Sequence, residues 1–192
     1  TADRWFMDEV GTDTLSVTRE STIVDAGSLY SLAAVFVLGS GAGAPVIYNP
    51  CVIADGYHHL LGRAISVRLR VRLATGVASA VRAGITTDGT GGTTTYSGYH
   101  GNNTAWESLD VANLTVPSDA TYIRVGLYFA ASATAYLDNA MLVAYSSAVA
   151  YVGRHPADEL ARCQRYYELH GGASAALTHY HNATAGAETF GY

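Results

Sequence analysis

The run Ile65-Ser-Val-Arg-Leu-Arg-Val-Arg-Leu73 admits one kind of backbone. Ile65, Val67, Leu69, Val71 and Leu73 alternate strictly with Ser66, Arg68, Arg70 and Arg72. A period of two puts each set on its own face of a β-strand. A helix would scatter the same apolar residues around its whole circumference. The strand therefore belongs to a sheet with one face in a core and three guanidinium groups on the other.

The same period recurs along the chain. In Tyr122–Phe129, the residues Ile123, Val125, Leu127 and Phe129 point to one side. Residues 77–86 repeat it with Val77, Val81 and Ile85, and Thr75-Gly76 reads as the turn of a hairpin with the preceding strand. Further strands are expected at 5–7, 15–20, 28–38, 46–48, 93–99, 106–114 and 134–145. The breaks at 39–43, 88–92, 101–103 and 117–119 are rich in Gly, Asn, Asp and Pro. Many short strands at this spacing predict an all-β antiparallel sandwich and not an α/β domain.

Composition narrows the function. The 192 residues suffice for a core without disulfides or metal. Charged residues make up only 14% and hydrophobic ones 49%. That balance suits a surface partly buried in an assembly, and equally a neutral β-protein rich in Ala, Gly and Thr. The net charge of −5 argues against nucleic acid as a partner. All eleven basic residues are Arg. Cys51 and Cys163 fall in different expected units, so two free thiols are expected and not a disulfide. No apolar run is long enough to span a membrane. Gly-x-Ser-x-Gly, His-Glu-x-x-His, P-loop and Cys-x-x-Cys motifs are all missing, so no enzyme is predicted. A start at Thr1 without Met is expected of a piece of a longer polypeptide.

The period changes at 156–168. Leu160, Cys163 and Tyr167 are spaced i, i+3, i+7 along one helical face, Pro156 suits a first turn, and Asp158 and Glu159 suit a helix N-terminus. The expected organisation is a sandwich over 1–145, a connector over 146–155, and a stretch over 156–192 in which a helix over 157–169 opens a second small unit or an arm. The helix's apolar face needs a partner surface, which makes Leu160, Cys163 and Tyr167 candidate subunit contacts.

The segment Glu159-Leu-Ala-Arg-Cys-Gln-Arg-Tyr-Tyr167 resembles a signature of bacteriophage and prophage tail proteins, where it follows a β-sandwich. The order of Thr104-Ala-Trp-Glu-Ser-Leu109, then Val116 to Leu127, then Ala135-Tyr-Leu-Asp-Asn-Ala-Met-Leu-Val143 is similar to the jelly-roll carbohydrate-binding modules and their relatives in phage tails. The resemblance implies a jelly roll and a non-enzymatic structural protein of a tailed phage, in a tail fibre, tail tip or surface appendage. Such a protein would sit on the virion surface, packed with copies of itself (a trimer is one arrangement) and with other virion proteins, and would touch host glycan. Rival expectations are a carbohydrate-binding module of a secreted polysaccharide-degrading enzyme, a capsid decoration protein and a depolymerase.

Four groups are candidate sites. Tyr96 and Tyr99 could stack on sugar rings while Asn102 and Asn103 supply hydrogen bonds, with His100 and Trp106 nearby in sequence and Trp106 assigned to the core. Arg68, Arg70 and Arg72 share a strand face and repel unless paired. Their partner would be an anionic glycan, an acidic patch on a neighbouring subunit, or cross-strand Asp and Glu. In the resembling modules, an Asp in the closing strand helps to hold a structural calcium, which makes Asp138 a candidate ligand. Calcium takes about six to eight oxygens, so a hydrogen-bonded Asp fixing the last strand is the preferred reading. His179 and His181 would share one face of a strand and are read as surface residues.

Overall fold

The computed structural model describes residues 5–9, 11–39 and 45–150. They belong to the first of two compact units, Thr1–Tyr151. The expected helix with Leu160, Cys163 and Tyr167, and the tail with His179 and His181, lie outside the described residues.

Ten strands follow in chain order: β1 (Phe6–Asp8), β2 (Thr14–Glu20), β3 (Ser31–Val37), β4 (Val46–Val52), β5 (Ala64–Leu73), β6 (Val81–Thr87), β7 (Thr94–Tyr99), β8 (Glu107–Thr115), β9 (Tyr122–Phe129) and β10 (Ala133–Val143). Among the described residues the helical pieces are two 3-10 turns, Ile53–Asp55 and Tyr57–Leu60. The strands form two antiparallel five-stranded sheets in a jelly-roll sandwich, ordered β1-β4-β9-β6-β7 and β2-β3-β10-β5-β8.

Alternation decides what lies between the sheets. Ile65, Val67, Leu69, Val71 and Leu73 of β5 are fully buried, as are Val81, Ala83 and Ile85 of β6. Ile123, Val125, Leu127 and Phe129 complete the opposite wall, and Phe129 meets Phe36 of β3 at 5.2 Å between ring centres. Each large side chain so buried contributes about 1.5–3 kcal/mol. Cys51 lies in this core as a free thiol, and burial pushes its pKa up while a hydrogen bond with Tyr57 opposes the shift.

Two expectations need correction. β5 and β6 do not form a hairpin: β5 pairs with β10 and β8, and β6 pairs with β9 and β7. Their apolar faces approach one core from opposite sides, so residues 74–80 cross between the sheets. Gly76 is needed there for close approach, since a Cβ would come within 2.8 Å of Asn102 Oδ1. Trp106 is not core. The inward positions of β8 are Leu109 and Val111, and Trp106 has the opposite parity, half-buried just before the strand. The interior place nearby belongs to His100, a residue 2% exposed.

Candidate functional site

The outward face of the β1-β4-β9-β6-β7 sheet carries an unusual set of residues. Its strands pair in register, so their outward positions line up in rows across the sheet. One row runs Phe6, Tyr48, Gly126, Gly84, Tyr96. The next runs Asp8, Val46, Tyr128, Arg82, Tyr99. On the other side of the glycine row lie Pro50, Arg124, Thr86 and Thr94.

The two glycines allow close approach, Gly84 to two rings and Gly126 to the neighbouring strand. A Cβ on Gly84 would meet Tyr128 Cε2 at 2.5 Å and Tyr96 Cδ1 at 3.0 Å. A Cβ on Gly126 would strike the Ile47 carbonyl oxygen and reach the Tyr48 Cβ at 3.0 Å. Tyr96 and Tyr128 pack edge to face with centres 5.0 Å apart, a favoured geometry. The Tyr128 ring is pinned at its far end, because its hydroxyl and the Thr86 hydroxyl are hydrogen-bonded at 2.6 Å and Thr86 bonds Thr94 at 2.9 Å. Burial raises the Tyr128 phenol pKa, opposed by the Thr86 hydrogen bond.

The arginines are braced by the same rings. The Arg82 guanidinium lies 3.5 Å above the Tyr96 ring centre and 5.0 Å from that of Tyr99. The Arg124 guanidinium is 4.8 Å from both Tyr48 and Tyr122. These distances are within cation–π range. Arg124 also meets Asp8 at 3.4 Å, an exposed and therefore weak pair. Phe6, half exposed, stacks on Tyr48 at 5.9 Å. The result is an aromatic surface with fixed positive groups and few acceptors.

Tyr96 and Tyr99 thus share this face, Tyr99 being 41% exposed. The loop after β7 treats its asparagines differently. Asn103 Nδ2 donates to Glu107 Oε1 at 2.5 Å, and its Oδ1 accepts from the Ala105 N–H at 2.7 Å, so that side chain holds the loop itself. Asn102 is exposed. Glu107 also accepts the Gly101 N–H at 2.8 Å, and this bond, then that of Asn103, keeps its carboxyl below the usual range. The His100 nitrogens face the carbonyls of Gly101, Val71 and Ala105 at 2.6, 3.1 and 3.2 Å, which ties the loop to β5.

The outward face of the other sheet carries Arg68, Arg70 and Arg72, and two of these have partners within the sandwich. Arg68 pairs with Asp110 of β8 through two bonds of 2.8 and 2.5 Å. Arg70 pairs with Asp25 at 2.7 and 3.2 Å. The Arg70 bond, ahead of Asn139, holds the Asp25 carboxyl below its ordinary pKa. Arg72 has a buried Nε without a partner among the described residues. Asp138 accepts from the Asp25 N–H, the Ser28 hydroxyl and the Asn139 N–H at 3.0, 2.9 and 2.7 Å. Its oxygens thus fix the 25–28 loop on β10. Among the described residues no three His, Cys, Asp or Glu side chains gather as a metal cluster. The partners around Asp138 are the Asp25 and Asn139 amides and the Ser28 hydroxyl.

The sequence reading missed Tyr48, Arg82, Tyr122, Arg124 and Tyr128. The signal was in the strands already recognised. The solvent side of β9 reads Tyr122, Arg124, Gly126, Tyr128, which is not the composition of a merely solvated face.

Comparison with known proteins bears on the fold. No protein-family model and no curated protein sequence matches the chain. Among solved structures, a xylan-binding domain of carbohydrate-binding module family 22 superposes with a TM-score of 0.57 at 15% identity, covering 78% of this chain and 92% of that one. The C-terminal family 22 module of Clostridium thermocellum Xyn10B gives 0.55 at 15%, covering 78% and 90%. The enzymatically active domain of tailspike protein 4 of bacteriophage CBA120 gives 0.50 at 14%, covering 72% of this chain and only 19% of the tailspike.

Proposed function

We propose that this domain is a non-enzymatic glycan-binding module whose ligand lies along the outward face of the β1-β4-β9-β6-β7 sheet. The observation that carries the reading is the row Phe6, Tyr48, Gly126, Gly84, Tyr96, flanked by Tyr99 and the braced Arg82 and Arg124, with Tyr128 buried beneath as their support. Pyranose C–H groups stack on aromatic faces, and guanidinium and hydroxyl groups hydrogen-bond the sugar oxygens. Most of this platform stands on strands, so little ordering is needed on binding. The jelly-roll likeness to a xylan-binding domain supports the reading at the level of fold. Asn102, exposed beside Tyr99's strand, is retained as a hydrogen-bonding candidate.

The test is calorimetric titration of the purified chain with a panel of soluble polysaccharides, repeated on Tyr96→Ala and Tyr99→Ala. At least one glycan should bind, and each variant should lose about tenfold in affinity, equivalent to ~1.4 kcal/mol. Binding to no glycan, or binding indifferent to both variants, would contradict the reading.

A second reading concerns the setting and not the face. The Glu159–Tyr167 segment and the tailspike jelly roll favour a structural role in a phage appendage, at the virion surface with copies of itself. Leu160, Cys163 and Tyr167 would then pack against a neighbouring subunit. Imaging of the native assembly separates this from a module joined to a secreted polysaccharide-degrading enzyme. Chains located on particles support the appendage, and a free secreted protein rejects it.

A further inference from the structure

The charge on the aromatic face points to the class of glycan, an inference that rests on the glycan reading above. Arg68 and Arg70 each have a carboxylate partner at 2.8 Å or less on the opposite face. Arg82 has none among the described residues. Its guanidinium carbon is instead held 3.5 Å over the Tyr96 ring centre and 5.0 Å from that of Tyr99. A stacked guanidinium keeps its N–H groups in plane and directed sideways, with much of its rotamer freedom already removed. That edge is the geometry that grips a carboxylate through two parallel bonds.

Arg124 supplies a second positive group on the same face. Arg82 is opposite Tyr128, and Thr86 is opposite Arg124, so the two arginines lie four residues apart along neighbouring strands. At strand rise their backbones are separated by about 13 Å, and both guanidinium groups lean in towards the glycine row, Arg82 over Tyr96 and Arg124 4.8 Å from Tyr48. The glycine row with Tyr48 and Tyr96 lies between them. Arg124's contact with Asp8 is single, 3.4 Å long and exposed, so a ligand carboxylate could displace it. The chain as a whole is acidic at −5, so bulk attraction would not recruit an anion, and recognition must come from these local groups.

We propose that the ligand is an acidic glycan carrying carboxylate groups, a uronic-acid polymer in chemical class, with one carboxylate on Arg82 and another on Arg124. Sugar rings between them would stack over the glycine row.

The experiment is calorimetry on the full chain with four probes: an oligogalacturonate, its carboxyl-reduced counterpart, a neutral xylo-oligosaccharide and dextran sulfate. The oligogalacturonate should bind at least tenfold tighter than its reduced form at low ionic strength, and the ratio should shrink as salt is added. Arg82→Gln and Arg124→Gln, each checked for a native thermal transition, should bring the ratio towards one. Arg63→Gln, an exposed change of the same charge, should leave it intact. Equal affinity for acidic and reduced forms overturns the proposal while the glycan reading stands. Binding of dextran sulfate without the oligogalacturonate also overturns it, since sulfate and not carboxylate would be the group read. An unchanged ratio in both Arg→Gln variants overturns it as well. Binding to none of the four overturns this proposal and counts against the glycan reading too.

Discussion

Gly84 has no side chain to displace, and two tyrosine rings use the space. Tyr128 and Tyr96 lean over it, and Thr86 holds the Tyr128 hydroxyl, so the rings have little room to retreat. Gly84→Ala should therefore destabilise the domain by about 1–3 kcal/mol, the usual cost of overpacking. Chemical denaturation checks this, and a midpoint like that of the parent would show that the rings move freely. Part of the site was legible residue by residue: Tyr96 and Tyr99 are aromatic residues next to a Gly- and Asn-rich loop. Arg82 was not legible. Its meaning depends on which ring lies beneath it, and that ring is fourteen residues away on the neighbouring strand. Asn103 illustrates the reverse problem, because sequence marks it as a free hydrogen-bonding group while Glu107 and the Ala105 amide occupy it.

At the scale of elements, all ten described strands were anticipated, and alternation marked β5, β6 and β9 most clearly, because burial on one face writes itself into a period of two. Pairing was less legible. Thr75-Gly76 looks the same in a hairpin and in a crossing between sheets, and only the shared core decides between them. The β7–β8 loop depends on side chains buried in or bonded to it. Glu107→Ala should cost about 1–3 kcal/mol, since it strips acceptors from the Gly101 N–H and the Asn103 amide. Thermal denaturation reads this, and an unchanged transition would remove the loop's supposed anchor. The link between Asp25 and Arg70 predicts a pH effect. Folding lowers the Asp25 pKa, chiefly through Arg70, so its stabilisation is complete above the ordinary aspartate range and is lost as pH falls through the lower folded value. Asp25→Asn should flatten the acid limb of the stability curve below about pH 4 and change its slope little near neutrality. An acid limb identical to the parent's would reject the linkage.

Across the whole sandwich, the two outer faces are chemically different. On one, Arg68 and Arg70 meet Asp110 and Asp25, and Asp138 ties down a loop. On the other, tyrosines surround two arginines with Asp8 as the acid within reach. The guanidinium ladder of β5 drew attention to the first face, because three like charges in nine residues are conspicuous in sequence. The structure shows two of them answered within the sandwich, so the more available positive groups are those spread over β6 and β9. Backbone amide NMR on the isotopically labelled chain, titrated with the oligogalacturonate, distinguishes the faces directly. The predicted result is perturbation of Tyr48, Arg82, Gly84, Tyr96, Tyr99, Arg124 and Gly126, with Arg68, Arg70 and Asp138 unmoved. Shifts centred on Arg68, Arg70 and Asp138, or none at saturating ligand, would contradict it.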